Sequence, residues 1–264
     1  VMWMGELITD KGIGNGMSLL IFTSIAAGFP ASLWAIQQRS GWDVFIGIIL
    51  MGFVVISLVV FVEQSQRRIP VQYAKRMVGR RVYGGTSTYI PLKVNMAGVI
   101  PVIFASSLMS LPMLLAQFNQ RADGNNAGWV DWINANLVTG DKPMYMALYI
   151  GLILFFTFFY VSITFNPTEV ADNMKKYGGF IPGIRAGRPT AEYLSYVLTR
   201  ITVPGAIYLA LISLIPLIAL VLVDANQNFP FGGTSILIIV GVGLETVKQI
   251  EAQLQQRHYE GFLR

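Results

Sequence analysis

Six long stretches of the chain carry no charged residue, and this pattern limits its possible folds more than any other feature. The stretches are Met17 to Gln38, Val44 to Val62, Met96 to Gln120, Met144 to Thr168, Ile201 to Val223 and Ala225 to Leu244. Each contains an apolar core close to the ~20 residues that a helix needs to cross a bilayer. Because they are apolar on all sides, they do not match the amphipathic helices of a soluble core. The pattern predicts an all-α polytopic membrane protein with six transmembrane helices.

Composition and charge distribution support this prediction. Charged residues make up only 12% of the chain, about half of the ~25% that is usual in soluble domains. All of the 19 Lys and Arg residues except Arg39, Arg121 and Lys142 lie before the first stretch, in every second gap, or in the tail. By the positive-inside rule, those gaps and both ends of the chain are predicted to be cytoplasmic.

These observations predict the order of segments along the chain. The predicted spans are 17–38, 44–63, 96–117, 143–166, 201–223 and 234–250. Between them lie a cytoplasmic basic loop at 64–95, an external loop with an interfacial segment at 118–142, a cytoplasmic loop at 167–200, and a cytoplasmic tail at 251–264. Residues 1–16 are predicted to contain the end of a preceding span and a short loop, so we expect the chain to be a fragment of a larger polytopic protein.

The loop at 64–95 is the most polar part of the chain. Its β-branched and tyrosine-containing runs, IPVQY and TSTYI, flank a basic, glycine-containing middle, which predicts a two-stranded hairpin. Its positive surface is expected to come from Arg67, Arg68, Lys75, Arg76, Arg80 and Arg81. Two interpretations are open: retention of positive charge on the inner side with lipid phosphate contact, or docking of an anionic partner such as ribosomal RNA or an acidic protein face.

The third predicted span has an unusual composition for a transmembrane helix. Pro101 and Pro112 are expected to interrupt it, while Ser106, Ser107 and Ser110 add hydroxyl groups and small volume. One interpretation is an ordinary kinked packing helix. The other is a moving helix beside a cavity, because polar or broken helices at membrane depth must face protein or water.

The cytoplasmic loop at 167–200 is predicted to contain a short amphipathic helix at 168–177, followed by the Gly/Pro-rich stretch GGFIPGIRAGRP. In this stretch Arg185 stands between glycines in an exposed setting. Such a position favours contact with a partner over an internal ion pair.

No catalytic or metal-binding constellation is found in the sequence. The single histidine, His258, is in the tail, and there is no cysteine, so neither serine activation within the membrane nor a Cys/His metal site is expected. No charged residue lies deep in any predicted span, although ion-coupled transporters usually require one. We therefore predict a protein that is not an enzyme and that has no cofactor and no metal.

Six motifs in this order resemble the second half of the bacterial SecY family, the channel subunits of the general protein-secretion translocon. They are GIGNGMSLLIF, RRIPVQYAKR with GRRVY, PLKVNMAGVIPVIFASS, FNPTEVADNMKK, GFIPGIRAG and FGGTSILI. The resemblance runs from about residue 4 to about residue 262. It implies six helices of a ten-helix channel that carries unfolded polypeptides across the membrane and releases membrane segments sideways into lipid.

The resemblance also implies roles for individual residues. A ring of apolar side chains closes the family's pore, and the matching positions are Met17, Ile21, Ile103 and Ile238. Such a ring can exclude ions by dewetting; without the resemblance, ordinary buried apolar residues are the better interpretation. The third and fourth spans resemble one side of the lateral gate, with Ser106, Ser107 and Leu111 as gate candidates. The hairpin arginines and Arg185 become candidates for docking the ribosome or the SecA motor.

The partners implied by the family are SecE, SecG, the SecA motor ATPase, the ribosome, polypeptides with signal sequences, and lipids of the bacterial plasma membrane. Two alternatives remain open. A secondary transporter can also have broken helices, but should carry coupling charges at the midplane. A ribosome-docking insertase scaffold would share the basic loops without forming a pore.

Overall fold

The computed structural model describes residues 2–13, 16–74, 76–78, 81–83, 87–119, 128–138, 142–223 and 233–260. The chain divides into two compact units, each built from separate stretches of sequence. Unit 1 consists of Val1–Phe61, Met109–Ala147 and Leu211–Arg264, and unit 2 consists of Val62–Leu108 and Leu148–Ala210.

Helix dominates the described residues, as the sequence predicts. The helices are α1 (Met2–Lys11), α2 (Gly16–Gln64), α3 (Ile100–Asn119), α4 (Gly128–Ile133), α5 (Pro143–Thr164), α6 (Pro167–Lys176), α7 (Arg188–Val223) and α8 (Gly233–Glu260). A π-helical turn, Asn134–Val138, follows α4. The strands are β1 (Gln66–Tyr73), β2 (Arg76–Val78), β3 (Arg81–Tyr83), β4 (Ser87–Lys93) and β5 (Gly179–Phe180).

Five helical segments in the described part of the chain are long and apolar enough to cross a membrane. They are Gly16–Arg39, Gly41–Gln64, Ile100–Asn119, Pro143–Lys176 and Arg188–Ile215, and they overlap the first five predicted spans. Helix α8 covers the sixth predicted span but is not among these segments, and it carries Glu245, Lys248 and Glu251. The count of six spans therefore remains a prediction.

The first two spans meet at a break in helix α2. Gly41 has φ 82° and ψ 179°, while the residues on both sides of it are helical. A side chain would be strained at this φ, so glycine is the residue that allows the chain to break the helix here. Residues 39–43, which the sequence predicts to be a connection, are thus largely helical.

The sequence predicts that Pro101 and Pro112 both interrupt the third span. This prediction is wrong for Pro101. Helix α3 begins at Ile100, so Pro101 lies in its first turn, where the missing N–H costs nothing. Residues 96–99 form a turn instead of helix, with Gly98 at φ 64°. Pro112 does lie inside α3, and the helix continues past it to Asn119.

The predicted hairpin is present and is larger than expected. Strands β1 and β4 pair antiparallel from Gln66↔Lys93 to Gln72↔Ser87, and β2 pairs with β3 beyond them. We call β1 to β4 the arm. Strand β5, from the following loop, adds to the other edge of β1 through Gln72↔Phe180 and Tyr73↔Gly179. The sheet order β4-β1-β5 therefore joins the two polar loops that the sequence presents separately.

The arm and the second loop share one hydrophobic core in unit 2. This core draws residues from β1, β4, α6, the loop after β5, and the start of α7. Its buried members are Ile69, Val71, Leu92, Met174, Ile181, Leu194, Val197 and Ile201. Burial of such side chains contributes about 1.5–3 kcal/mol each, so the arm is fixed at its base by apolar packing.

Helix α6 is held at its start by a side-chain cap. Asn166 Oδ1 accepts hydrogen bonds from the backbone N–H groups of Thr168 and Glu169, and Pro167 occupies the first turn. Asparagine at this position satisfies donors that the helix cannot pair internally. The predicted amphipathic helix is thus present, with Ala171 and Met174 buried.

Candidate functional site

The outer face of the arm carries exposed positive charge. Along β1 the residues Ile69 and Val71 point into the core, so Arg68 lies on the opposite face, because side chains alternate along a strand. Arg68 Cζ lies 4.7 Å from the centroid of the Tyr89 ring on β4. Lys93 is exposed on this same face, opposite Gln66. The face therefore presents two cations and an aromatic ring that orients one of them.

The other predicted docking residues of the arm are placed by its strands. Arg67 is exposed and pairs in register with Leu92. Arg76 and Arg81 lie in strands β2 and β3, which pair through Arg76↔Tyr83 and Val78↔Arg81. Lys75 and Arg80 lie outside the described residues.

Arg185 is exposed on a loop whose backbone is anchored. The hydroxyl group of Thr190, itself buried, donates to the Arg185 carbonyl oxygen at 2.8 Å. On the other side, the Ile184 N–H donates to the Ile181 carbonyl oxygen at 3.0 Å, and Ile181 belongs to the core of unit 2. The backbone is fixed while the guanidinium group stays in solvent, an arrangement suited to presenting a charge to a partner.

Two glycines shape the Arg185 loop. Gly183 and Gly187 have φ values of 84° and 101°, which side chains rarely tolerate. They allow the chain to turn sharply on each side of Arg185 before α7 begins at Arg188.

Among the predicted docking cations, Arg67, Arg68 and Arg185 form no ion pair within the described residues. In the described residues, the salt bridge observed joins Arg188 to Glu192 on α7, and no carboxyl group lies within salt-bridge distance of Arg67, Arg68 or Arg185. Unpaired exposed cations keep their charge available for an anionic surface.

Three of the four predicted pore-ring side chains are substantially exposed. The exposed fractions are 40% for Met17, 47% for Ile21 and 43% for Ile103, while Ile238 is half-buried. The alternative interpretation, that these are ordinary buried apolar residues, would require them to lie in the cores of their units. The three exposed residues do not. Met17 and Ile21 lie one helical turn apart on α2 and so share a face.

The gate candidates are exposed on α3. Ser106 and Ser107 both donate their hydroxyl groups to the carbonyl oxygen of Ile103, at 2.9 Å and 2.8 Å. Leu111 is 51% exposed. Bonds made within the helix satisfy these hydroxyl groups, so α3 can present them to an apolar surface at low cost.

Within unit 2, helix α3 contacts α5 through aromatic stacking. The rings of Phe104 and Phe156 have centroids 5.7 Å apart and planes 28° apart. Phe155 and Phe159 of α5 remain exposed, which agrees with a lipid-facing role for this side of the helix.

No group of three or more His, Cys, Asp or Glu side chains is gathered in the part of the chain that the structure describes. Sequence reasoning missed Tyr89, Lys93 and the buried Asn95. The alternation in STYIPLK could have placed Tyr89 and Lys93 on one face, but the partners of Asn95 depend on tertiary contacts.

The helices and the arm define a multi-pass membrane protein with a basic extramembrane sheet. A sequence profile of the SecY family matches residues 1–247. The chain belongs to the SecY family.

Relatives match the chain along its entire length. It is 71% identical to the protein translocase subunit SecY of Streptomyces galbus, 70% to that of Streptomyces coelicolor and 61% to that of Mycobacterium tuberculosis. In each case the whole chain is covered, and it spans about 60% of the relative's length.

Solved structures agree on the fold. A structure described as showing the plug domain of the SecY protein and a closed translocation channel matches with a TM-score of 0.62 and 22% identity, covering 95% of this chain and 62% of that chain. A protein-conducting channel matches with a TM-score of 0.60 and 21% identity, covering 94% and 61%.

Proposed function

We propose that this chain is part of a protein-conducting channel subunit, which moves unfolded secretory polypeptides across a membrane and releases membrane segments sideways into lipid. The observation that carries the proposal is the 71% identity, over the whole chain, to a protein translocase subunit SecY. The chain supplies helices, a pore surface and a docking face. No covalent chemistry is proposed for it.

Met17, Ile21, Ile103 and Ile238 form this chain's share of the pore ring. Their incomplete burial supports this role, because a pore residue must keep its side chain out of the packed core. Apolar side chains without hydrogen-bonding groups exclude ions by dewetting a narrow passage, yet they yield to a flexible polypeptide.

Ser106, Ser107 and Leu111 line the lateral gate on α3. The internal hydrogen bonds of both serines support this assignment. Separation of α3 from a neighbouring helix would not leave these hydroxyl groups without an acceptor, so opening avoids the cost of unpaired polar groups in lipid.

The exposed cations of the arm and Arg185 dock cytoplasmic partners, namely the ribosome or the SecA motor ATPase. In support, β5, which precedes the Arg185 loop, belongs to the same sheet as β1 and β4, and residues of the two loops share one core, so Arg67, Arg68 and Arg185 are presented from one unit. The further partners are SecE, SecG, polypeptides with signal sequences and membrane lipids. The location is the bacterial plasma membrane, with both ends of the chain cytoplasmic.

Photo-crosslinking tests the channel proposal directly. A photoreactive amino acid replaces Ile103 in the complete protein, and a secretory polypeptide is stalled during translocation. A matched probe replaces Phe155, which is 61% exposed on the side of α5 assigned to lipid. We expect crosslinks to the stalled polypeptide from position 103 and not from position 155.

Crosslinks from position 103 only to neighbouring helices would contradict the pore assignment. In that case a docking scaffold without a pore becomes the better hypothesis for this chain.

A further inference from the structure

Asn95 lies where the arm meets the membrane helices, in the short segment between β4 and α3. The residue is only 4% exposed. The amide Nδ2 donates to Glu63 Oε1 at 2.7 Å and to the Gly98 carbonyl oxygen at 3.4 Å. One side-chain amide thus joins the end of α2 to the turn from which α3 begins.

The backbone around Asn95 is tied to two further elements. The Val94 N–H donates to the Ser65 carbonyl oxygen at 3.1 Å, next to the start of β1. The Val94 carbonyl oxygen lies so close to Gly205 of α7 that a Cβ at that position would collide with it. Glycine is therefore required at Gly205 for the arm to approach α7.

The turn before α3 is packed as well as hydrogen-bonded. Ala97 is buried in a small cluster with Val161 of α5 and Leu198 of α7. Residues 94–98 consequently contact the ends or flanks of α2, α5 and α7 and continue directly into α3. This segment is the direct backbone connection between the arm base and the helix that carries the gate candidates.

The hydrogen bonds of Asn95 depend on its amide nitrogen alone. Asn95 Oδ1 is buried and has no hydrogen-bond partner among the described residues, and the same holds for the hydroxyl group of Tyr208 on α7. Tyr208 lies three residues after Gly205 on α7, and so on the helix face that the backbone of Val94 and Asn95 approaches. Buried polar groups are usually paired, so a cluster with two unpaired atoms is not optimised for stability alone.

We propose that Asn95 is a positioning residue that couples partner docking on the arm to the movement of α3, through its hydrogen bonds to Glu63 and Gly98. This inference rests on the proposed function, in which the arm docks a partner and α3 forms part of the lateral gate. Asn95 does not touch the partner or the polypeptide. It acts by holding the arm base, α2 and the start of α3 as one unit.

The test replaces Asn95 in the complete protein reconstituted in lipid vesicles. Asn95→Asp keeps the size of the side chain but removes both donated hydrogen bonds and brings a second carboxyl group against Glu63. Two quantities are measured: the affinity of the motor ATPase for the vesicles and the rate of polypeptide translocation. We expect affinity within about twofold of the parent and a translocation rate lower by about tenfold or more, the scale of one lost hydrogen bond to a charged group.

A second variant restores the hydrogen bond with donor and acceptor exchanged. In Asn95→Asp with Glu63→Gln, the glutamine amide can donate to the new carboxyl group, so we expect translocation to recover most of its rate. Glu63→Gln alone keeps the acceptor oxygen and should translocate nearly as the parent does. If Asn95→Asp does not accumulate in membranes, Asn95→Ser replaces it in the test. The serine side chain cannot reach both acceptors, so we expect the same near-parent motor affinity and the same lower translocation rate.

Parent-like translocation by Asn95→Asp would overturn the proposal. So would a parallel loss of affinity and translocation, because Asn95 would then only maintain the fold of the arm. Arg68→Glu on the outer face separates this result from failure of the docking hypothesis. If Arg68→Glu and Arg185→Glu both bind the motor normally, docking on the arm and the Arg185 loop is wrong, whatever Asn95 does.

Discussion

Arg185 shows how a single residue can be exposed and still be well positioned. Its carbonyl oxygen is bound by the buried Thr190 hydroxyl group, and the preceding isoleucines lie against the core of unit 2. The guanidinium group is thus presented from a fixed backbone, which reduces the conformational entropy that a partner must remove on binding.

Reversing this charge should impair the motor-driven reaction. Arg185→Glu places a negative charge where an anionic partner surface is expected, and like charges at an interface cost on the order of several kcal/mol. We expect motor affinity to fall at least ~tenfold, with normal accumulation of the protein in the membrane. The measurement is motor binding to vesicles together with secretion of a reporter.

The matched control is Arg200→Glu. Arg200 is also exposed in unit 2, but it stacks on Tyr196 of its own helix at 5.3 Å and has no assigned docking role. Equal losses from both variants would mean that net charge, not the position of Arg185, determines binding.

At the scale of secondary-structure elements, the arm depends on the residues that anchor its base. Leu92 is fully buried, with 0% exposure, between β1 and the start of α7. The alternation of β4 places Tyr89 on the opposite, exposed face. The same strand therefore contains one residue that should control folding of the arm and one that should not.

Truncation of Leu92 should loosen the arm. Leu92→Ala removes buried methyl groups and leaves a cavity, which typically costs about 2–5 kcal/mol. Because local opening frees the paired backbone beside these exposed basic residues for the protease, we expect faster cleavage by trypsin within residues 66–93. Limited proteolysis of the complete protein in detergent measures this rate.

Tyr89→Ala is the control in the same strand. It removes a large side chain that is half exposed, together with its stacking on Arg68, which is worth about 0.5–1 kcal/mol at an exposed site. Cleavage as fast as that of Leu92→Ala would show that the core contact of Leu92 does not hold the arm.

At the scale of the whole molecule, the proposed channel must seal the membrane against ions while idle. The pore-ring residues assigned to this chain come from α2, α3 and α8. Each is apolar, so the seal is expected to depend on the absence of hydrogen-bonding groups that could hold water in the constriction.

Polar substitution in the ring should therefore cause leakage. Ile103→Ser in the complete protein allows water to occupy the constriction, and we expect a severalfold rise in ion conductance across planar bilayers. Ile163→Ser is the matched control, since Ile163 is 65% exposed near the end of α5 and is not part of the proposed ring. Unchanged conductance for Ile103→Ser would count against the ring.

Much of the architecture follows from local sequence properties. Uncharged runs of about twenty residues must become helices in a bilayer, because lipid offers no partner for backbone polar groups. The hairpin follows from β-branched runs around a glycine-containing middle, and α6 from an asparagine cap and proline before an amphipathic segment. The arginines proposed for docking are equally visible, since the concentration of charge in a polar loop can be read from the sequence.

Other features depend on contacts between residues far apart in the chain. β5 joins β1 across more than a hundred residues, so no local pattern links Arg185 to the arm. The start of α3 at Ile100 depends on the turn at Gly98 and not on apolarity, which begins earlier. Asn95 is the clearest example of a feature that depends on tertiary contacts. Asparagine is common in loops, and the amide of Asn95 gains two partners only because it is buried beside Glu63 and Gly98. Hydropathy and charge thus determined which segments are long and apolar enough to cross a membrane, while close packing and paired polar groups decided how the arm is joined to them.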